Sequence, residues 1–125
     1  MTFHLSNGLK RCCLIVASVL ISVTTAFAAY PEKPVKLVVP FSPGGGTDSI
    51  ARTLAVGMSQ ALGQSVIVEN KPGAGTIIGT DAVAKSAPDG YSLVVATFAH
   101  AVNPSLMTKL PFDSEKAFTP VVMIA

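Results

Sequence analysis

The sequence predicts an α/β protein whose parallel sheet is built of βαβ units. Three observations predict it. Apolar runs of strand length recur at residues 35–41, 65–69 and 91–97. A segment of helical periodicity separates each run from the next. Glycine- or proline-rich turns mark the junctions, and the crossovers between such strands are right-handed.

The elements follow in order. Residues 30–34 form an extended leading segment, stiffened by Pro31 and Pro34. Residues 35–41 read as a buried strand, because Leu37, Val38 and Val39 stand in succession, as parallel sheets prefer. Pro43-Gly44-Gly45-Gly46 ends it. A helix is expected from Thr47 or Asp48, both good caps. Ile50, Leu54, Met58 and Leu62 recur at i+4 and give that helix an apolar stripe. Gly63 suits its stop.

The pattern then repeats. A Val/Ile strand covers 65–69, a loop 70–75 and a helix 76–86 with Ile78, Ala82 and Val83 inward. Ala87-Pro88-Asp89-Gly90 is a turn with Pro and Gly where turns want them. A third strand follows at 91–97. Residues 98–110 read as a loop or an irregular helix broken at Pro104, residues 111–118 hold a short helical turn, and 120–125 read as a fourth strand. Because the chain stops inside that strand, it reads as a fragment.

Composition narrows the functional classes. Half of the 125 residues are hydrophobic, but much of that excess lies in the first 29. There Lys10 and Arg11 precede the apolar stretch 12–23, and small residues lead to Ala26-Phe27-Ala28. A basic flank, a short apolar core and an A-x-A site are the pattern of a cleavable secretion signal. A membrane anchor is the competing reading. It needs about 20 apolar residues, and Ser18, Ser22, Thr24 and Thr25 interrupt this one. Cleavage is expected after Ala28 or Ala29.

Cleavage removes both cysteines, Cys12 and Cys13, so the mature part has no disulfide and no cysteine metal site. It also removes Lys10 and Arg11. That takes nine basic residues to seven, equal to the seven acidic ones. A neutral chain offers no basic stripe for nucleic acid. The mature part is expected to be soluble and monomeric outside the cytoplasm, with no cofactor and no metal.

Three loops carry candidate chemistry. The first is Phe41-Ser42-Pro43-Gly44-Gly45-Gly46-Thr47-Asp48, a glycine-rich turn from strand into helix. Glycines admit close backbone approach, and a helix start favours an anion. An ordinary βα turn is the plain alternative. No Lys-Ser or Lys-Thr pair follows, so it is not a phosphate P-loop. Asp48 would repel an anion unless it caps the helix or pairs with an ammonium.

The second loop runs from Gly73 to Gly79 and offers Gly75 and Thr76 at a helix start. It is spaced one residue too long for a dinucleotide fingerprint, and Thr97 stands where an acidic residue would end the next strand. The third holds Thr97, Ala99, His100 and Asn103, although Asn103 before Pro104 also suits a turn and His100 suits the surface. No G-x-S-x-G, no H-E-x-x-H and no cysteine nucleophile is present, so catalysis has little support. All three loops leave the C-terminal ends of the expected strands, the edge where open α/β sheets bind ligands.

These residues carry a family resemblance. The run from Tyr30-Pro31 through Lys33-Pro34-Val35-Lys36-Leu37-Val38-Val39-Pro40 to Asp48 resembles the opening of mature Bug-type receptors, the solute-binding proteins of tripartite tricarboxylate transporters. Val68-Glu69-Asn70-Lys71-Pro72-Gly73-Ala74-Gly75, Ala87-Pro88-Asp89-Gly90-Tyr91-Ser92-Leu93 and Asn103-Pro104-x-Leu106 resemble their later motifs, in the same order.

The resemblance implies a non-enzymatic periplasmic receptor. It implies a two-domain Venus flytrap with a small carboxylate in the cleft, delivered to membrane permease subunits. It further implies that backbone amides and waters hold the carboxylate, which suits a mature part whose only arginine is Arg52. Family members are much longer. Residues 1–29 therefore read as a signal peptide and 30–125 as an incomplete N-terminal solute-binding domain. Two alternatives stand beside this: the N-terminal fragment of a secreted α/β hydrolase with an oxyanion loop at 44–46, and a non-functional truncated product.

Overall fold

A computed structural model describes residues 30–124. The expected signal peptide and Ala125 lie outside the described residues. Three strands, β1 (Val35–Val39), β2 (Val66–Asn70) and β3 (Ser92–Val94), form one parallel sheet in the order β2-β1-β3. Val35 to Val39 of β1 lie opposite Val66 to Asn70, and Lys36 to Val38 lie opposite Ser92 to Val94. The expected α/β class and parallel sheet are therefore what the chain forms.

β1 is central, and its sequence shows it. Val35, Leu37, Val38 and Val39 are all at most 3% exposed. Fully burying each such side chain contributes about 1.5–3 kcal/mol. Alternation splits them between the two faces. On one face Leu37 and Val39 pack with Ala51 and Ala55 of helix α1 (Gly46–Leu62) and with Val95. On the other face lies helix α2 (Ile77–Ala84), whose Gly79 sits against Pro40. A third helix, α3 (Phe98–Leu106), follows β3.

Several expected boundaries move, for identifiable reasons. β1 stops at Val39 because Pro40 has no N–H to offer the ladder. α1 begins at Gly46 with Gly45 as its cap, so Thr47 and Asp48 lie inside the first turn. Its buried positions are Asp48, Ala51 and Ala55, whereas Ile50 is half exposed. That row has the same helical period, and its small alanines let the helix sit close to the sheet. Gly63 ends the helix in the left-handed conformation, φ 66°, as expected.

β2 is displaced by one residue from 65–69 and takes in Asn70. A 3-10 turn, Ala74–Thr76, precedes α2. In α2 Gly79 and Thr80 are buried and Ile78 is exposed. A β-carbon on Gly79 would lie 2.7 Å from the carbonyl oxygen of Lys71 and 2.9 Å from Pro40. The helix therefore approaches β1 through its glycine and turns Ile78 away.

β3 is shorter than residues 91–97, but the amide of Val95 still donates to Val38 O at 2.9 Å. Residues 98–106 are a continuous helix, not one broken at Pro104. The proline costs only the one bond its missing N–H would make to His100, and Met107 N–H closes on Asn103 O at 2.9 Å. A single turn forms at 114–116, capped by Asp113 Oδ1, which accepts from the amides of Glu115 and Lys116.

The fourth strand is not formed at 120–124. A strand needs a neighbour to complete its ladder, and these residues pair with neither sheet edge. Val121, Val122 and Met123 are exposed.

Candidate ligand-binding site

The three loops singled out by sequence all leave the same end of the sheet. Phe41 to Asp48 joins β1 to α1, Lys71 to Thr76 joins β2 to α2, and Val95 to Thr97 joins β3 to α3. Each helix start is held by a cap residue that makes no side-chain capping bond: Gly45, Thr76 and Thr97. In α1 the first intrahelical bond runs from Ser49 N–H to Gly45 O, at 3.0 Å. The amides of Gly46, Thr47 and Asp48 precede it and have no intrahelical partner. Three helix starts, none closed by a side chain, converge on one edge.

Within the first loop the expected residues divide by environment. Ser42, Pro43, Gly44, Gly45 and Gly46 are exposed, Phe41 and Thr47 are half-buried, and Asp48 is buried. Gly44 has φ 86°, where a glycine is needed. Gly45 has φ −80°, so any residue fits its backbone, and a β-carbon there would meet only Ser42 O, at 3.8 Å. Its lack of a side chain is not required by the fold.

Asp48 is committed within the loop. Its Oδ2 accepts from Gly44 N–H and from Arg52 Nε, both at 2.9 Å, and its Oδ1 accepts from Asn70 Nδ2 at 2.9 Å. The Arg52 guanidinium, then the Gly44 amide, then the Asn70 amide hold its carboxyl well below the usual carboxylate range. Asp48 in turn raises Arg52. The charge that would repel an anion is thus neutralised by Arg52 one turn along.

Sequence reasoning passed over two residues of this network. Arg52 stands at i+4 from Asp48, a spacing that signals a helix ion pair. Asn70 ends β2, and its Nδ2 also donates to Phe41 O at 3.1 Å. Its place after an apolar strand is the only local hint of that role.

The second loop is strained. Ala74 and Thr76 have φ of 46° and 82°, alternating with Gly73 and Gly75, which are also positive. Such non-glycine residues cost about 1–3 kcal/mol each and persist where surroundings hold them. Thr76 is buried, and its carbonyl accepts from Thr80 Oγ1 at 2.9 Å. Asn103 of α3 donates through Nδ2 to Gly75 O at 2.9 Å and to Thr76 Oγ1 at 3.3 Å. Asn103 therefore joins the second and third loops, as Asn70 joins the first and second.

In the third loop, Thr97 and Ala99 are half-buried, and the Thr97 hydroxyl is a buried atom with no hydrogen-bond partner. The His100 ring stacks with Phe112 and meets Phe118 edge-on, and its Nε2 lies 3.1 Å from Ser114 O. It is half-buried in an aromatic cluster with 112–118. Surface grooves also run along α1. One of about 370 Å³ is lined by Ser49, Ile50, Thr53, Leu54 and Ile124. Another of about 460 Å³ runs between α1 and β2. Both are lined mainly by aliphatic side chains and lack the amide-rich character of the loop edge.

Residues 50–125 match the family described as tripartite tricarboxylate transporter family receptor. The chain belongs to that family. Among curated proteins it is similar to Protein BugT of Bordetella pertussis, 42% identical over 113 residues, which is 89% of this chain and 35% of that protein. Among solved structures it is similar to MatC from Rhodopseudomonas palustris with bound malate, at 41% identity and a TM-score of 0.70, over 74% of this chain and 32% of that one. It is also similar to an R. palustris protein with adipate, at 40% identity and a TM-score of 0.52, over 54% and 22% of the two chains. The chain thus spans about a third of the length of the curated relatives it matches. The resemblance to Bug-type receptors is correct, and the family match favours the receptor reading over the hydrolase one.

Proposed function

We propose that this tripartite tricarboxylate transporter family receptor captures a small carboxylate outside the cytoplasm and hands it to membrane permease subunits, without catalysis. The observation that carries this reading is the convergence of three helix starts without side-chain caps on one edge of the sheet. Backbone amides and helix dipoles there favour an anion, and Arg52 removes the opposing charge of Asp48. Charge-assisted hydrogen bonds from such amides contribute about 1.5–3 kcal/mol each. The malate and adipate of the two relatives point to a dicarboxylate.

In this reading residues 30–124 supply the first part of one lobe of a two-lobed receptor. The glycine loop and the starts of α2 and α3 grip the near carboxylate, and the opposing lobe sets which ligand is chosen. The leader at 1–29 directs export to the periplasm and is cleaved there. Calorimetric titration of the full-length, two-lobed exported protein with malate, adipate, succinate and citrate, and with succinamide as an uncharged control, tests the reading. Binding of an acid but not the diamide is expected. Equal binding of the diamide, or no binding of any acid, overturns it.

A further inference from the structure

We infer that Asn103 is a positioning residue that clamps the strained Gly75–Thr76 backbone and so sets the start of α2 for the ligand. This rests on the carboxylate site proposed above. The observation behind it is a run of four residues, Gly73 to Thr76, all with positive φ, of which only two are glycines. A β-branched threonine at φ 82° is an outlier that the chain does not adopt unaided. Something must hold it.

Two side chains do. Thr80 Oγ1 donates to Thr76 O at 2.9 Å from within α2 itself. Asn103 reaches across from α3 and donates to Gly75 O at 2.9 Å and Thr76 Oγ1 at 3.3 Å. The Thr80 bond is local and moves with its helix, so it cannot fix where α2 begins relative to the neighbouring loop. The Asn103 bond spans 28 residues of sequence and can.

Its position on α3 is itself secured. Pro104 follows directly, and Met107 N–H closes on the Asn103 carbonyl at 2.9 Å. Asn103 Nδ2 is spent on the loop, so its ligand-facing role is indirect: it presents the amides at the α2 start. Loss of the clamp lets Thr76 relax toward negative φ and rotates those amides away.

Two measurements on the exported protein test this, using the acid that binds most tightly among malate, adipate, succinate and citrate. Asn103→Ala is expected to weaken binding about tenfold and to raise amide hydrogen exchange at residues 75–78 in the ligand-free protein. In a Thr76→Gly background, where glycine accepts positive φ without strain, the same Asn103→Ala change is expected to cost much less. A loss that persists undiminished in that background shows Asn103 touching the ligand directly and overturns the clamp. Unchanged exchange in the ligand-free Asn103→Ala protein overturns it whatever binding does. If residues 75–78 open as expected but the parent takes none of the acids, the clamp stands and the carboxylate site fails.

Discussion

Asn70 Nδ2 donates to Asp48 Oδ1 at 2.9 Å, and the same amide donates to Phe41 O at 3.1 Å. One side chain at the end of β2 therefore holds both ends of the glycine loop that leaves β1. Asn70→Ala removes both bonds, together with the one its Oδ1 accepts from Arg52 Nη2 at 3.1 Å, and leaves a buried carboxylate short of a donor. It is expected to lower stability by about 1–3 kcal/mol, read by chemical denaturation. An unchanged midpoint would show that the loop holds itself.

Acid should dissolve this network. The folded pKa of Asp48 lies below its unfolded value, chiefly through Arg52 and then through the Gly44 and Asn70 amides. Its contribution is therefore complete above the ordinary aspartate value of about 3.9 and is lost as pH falls from there toward the lower folded value. Asp89 and Asp113 are lowered too, the first mainly by the Tyr91 amide and the second by the Lys116 and Glu115 amides. Asp48→Asn isolates the first contribution. Its melting temperature should fall less steeply with acid than the parent's, and parallel curves would contradict the assignment.

Gly45→Val separates binding from folding. The backbone at Gly45 accepts any residue, and a β-carbon would meet only Ser42 O at 3.8 Å. The variant should keep its melting temperature and lose at least about tenfold in carboxylate affinity. His100→Ala should do the reverse, retaining affinity while loosening the cluster with Phe112 and Phe118. Calorimetry beside thermal melts reads both. Full affinity in folded Gly45→Val would make the loop an ordinary turn.

Gly79→Ala should destabilise despite alanine's better helix propensity. The added carbon would meet Lys71 O at 2.7 Å and Pro40 at 2.9 Å. Overpacking of this kind costs about 1–3 kcal/mol, against about 1 kcal/mol gained from propensity. A variant at or above parental stability would mean that α2 simply moves outward.

Export should leave a new N-terminus at Ala29 or Tyr30. N-terminal sequencing of the periplasmic protein checks this, and an intact Met1 in a membrane fraction would contradict it.

The sheet was legible because β1 is buried on both faces, which leaves a run of apolar residues that no half-buried strand shows. The first two loops were legible for a simpler reason: glycine and proline break the apolar runs that precede them, and Gly44 takes a positive φ there. Other features depended on contacts distant in sequence. Nothing local told Asn70 from any strand-ending asparagine, since its partners lie at Phe41 and Asp48. Gly79 has the spacing of a loose fingerprint, and its actual role rests on its contact with Pro40, 39 residues earlier in the chain. Residues 120–124 have strand composition, but a strand also requires a neighbour, and composition cannot supply one.

The central place of β1 also has a consequence in time. Among the described residues it comes first in chain order, yet both of its hydrogen-bonded edges wait for later chain: Val35 pairs with Val66, and Lys36 with Ser92. Closing such loops is entropically costly and slows folding. An apolar segment such as Val35–Val39 therefore keeps one open edge until β3 has followed, and a holdase that shields it through that interval would limit its aggregation.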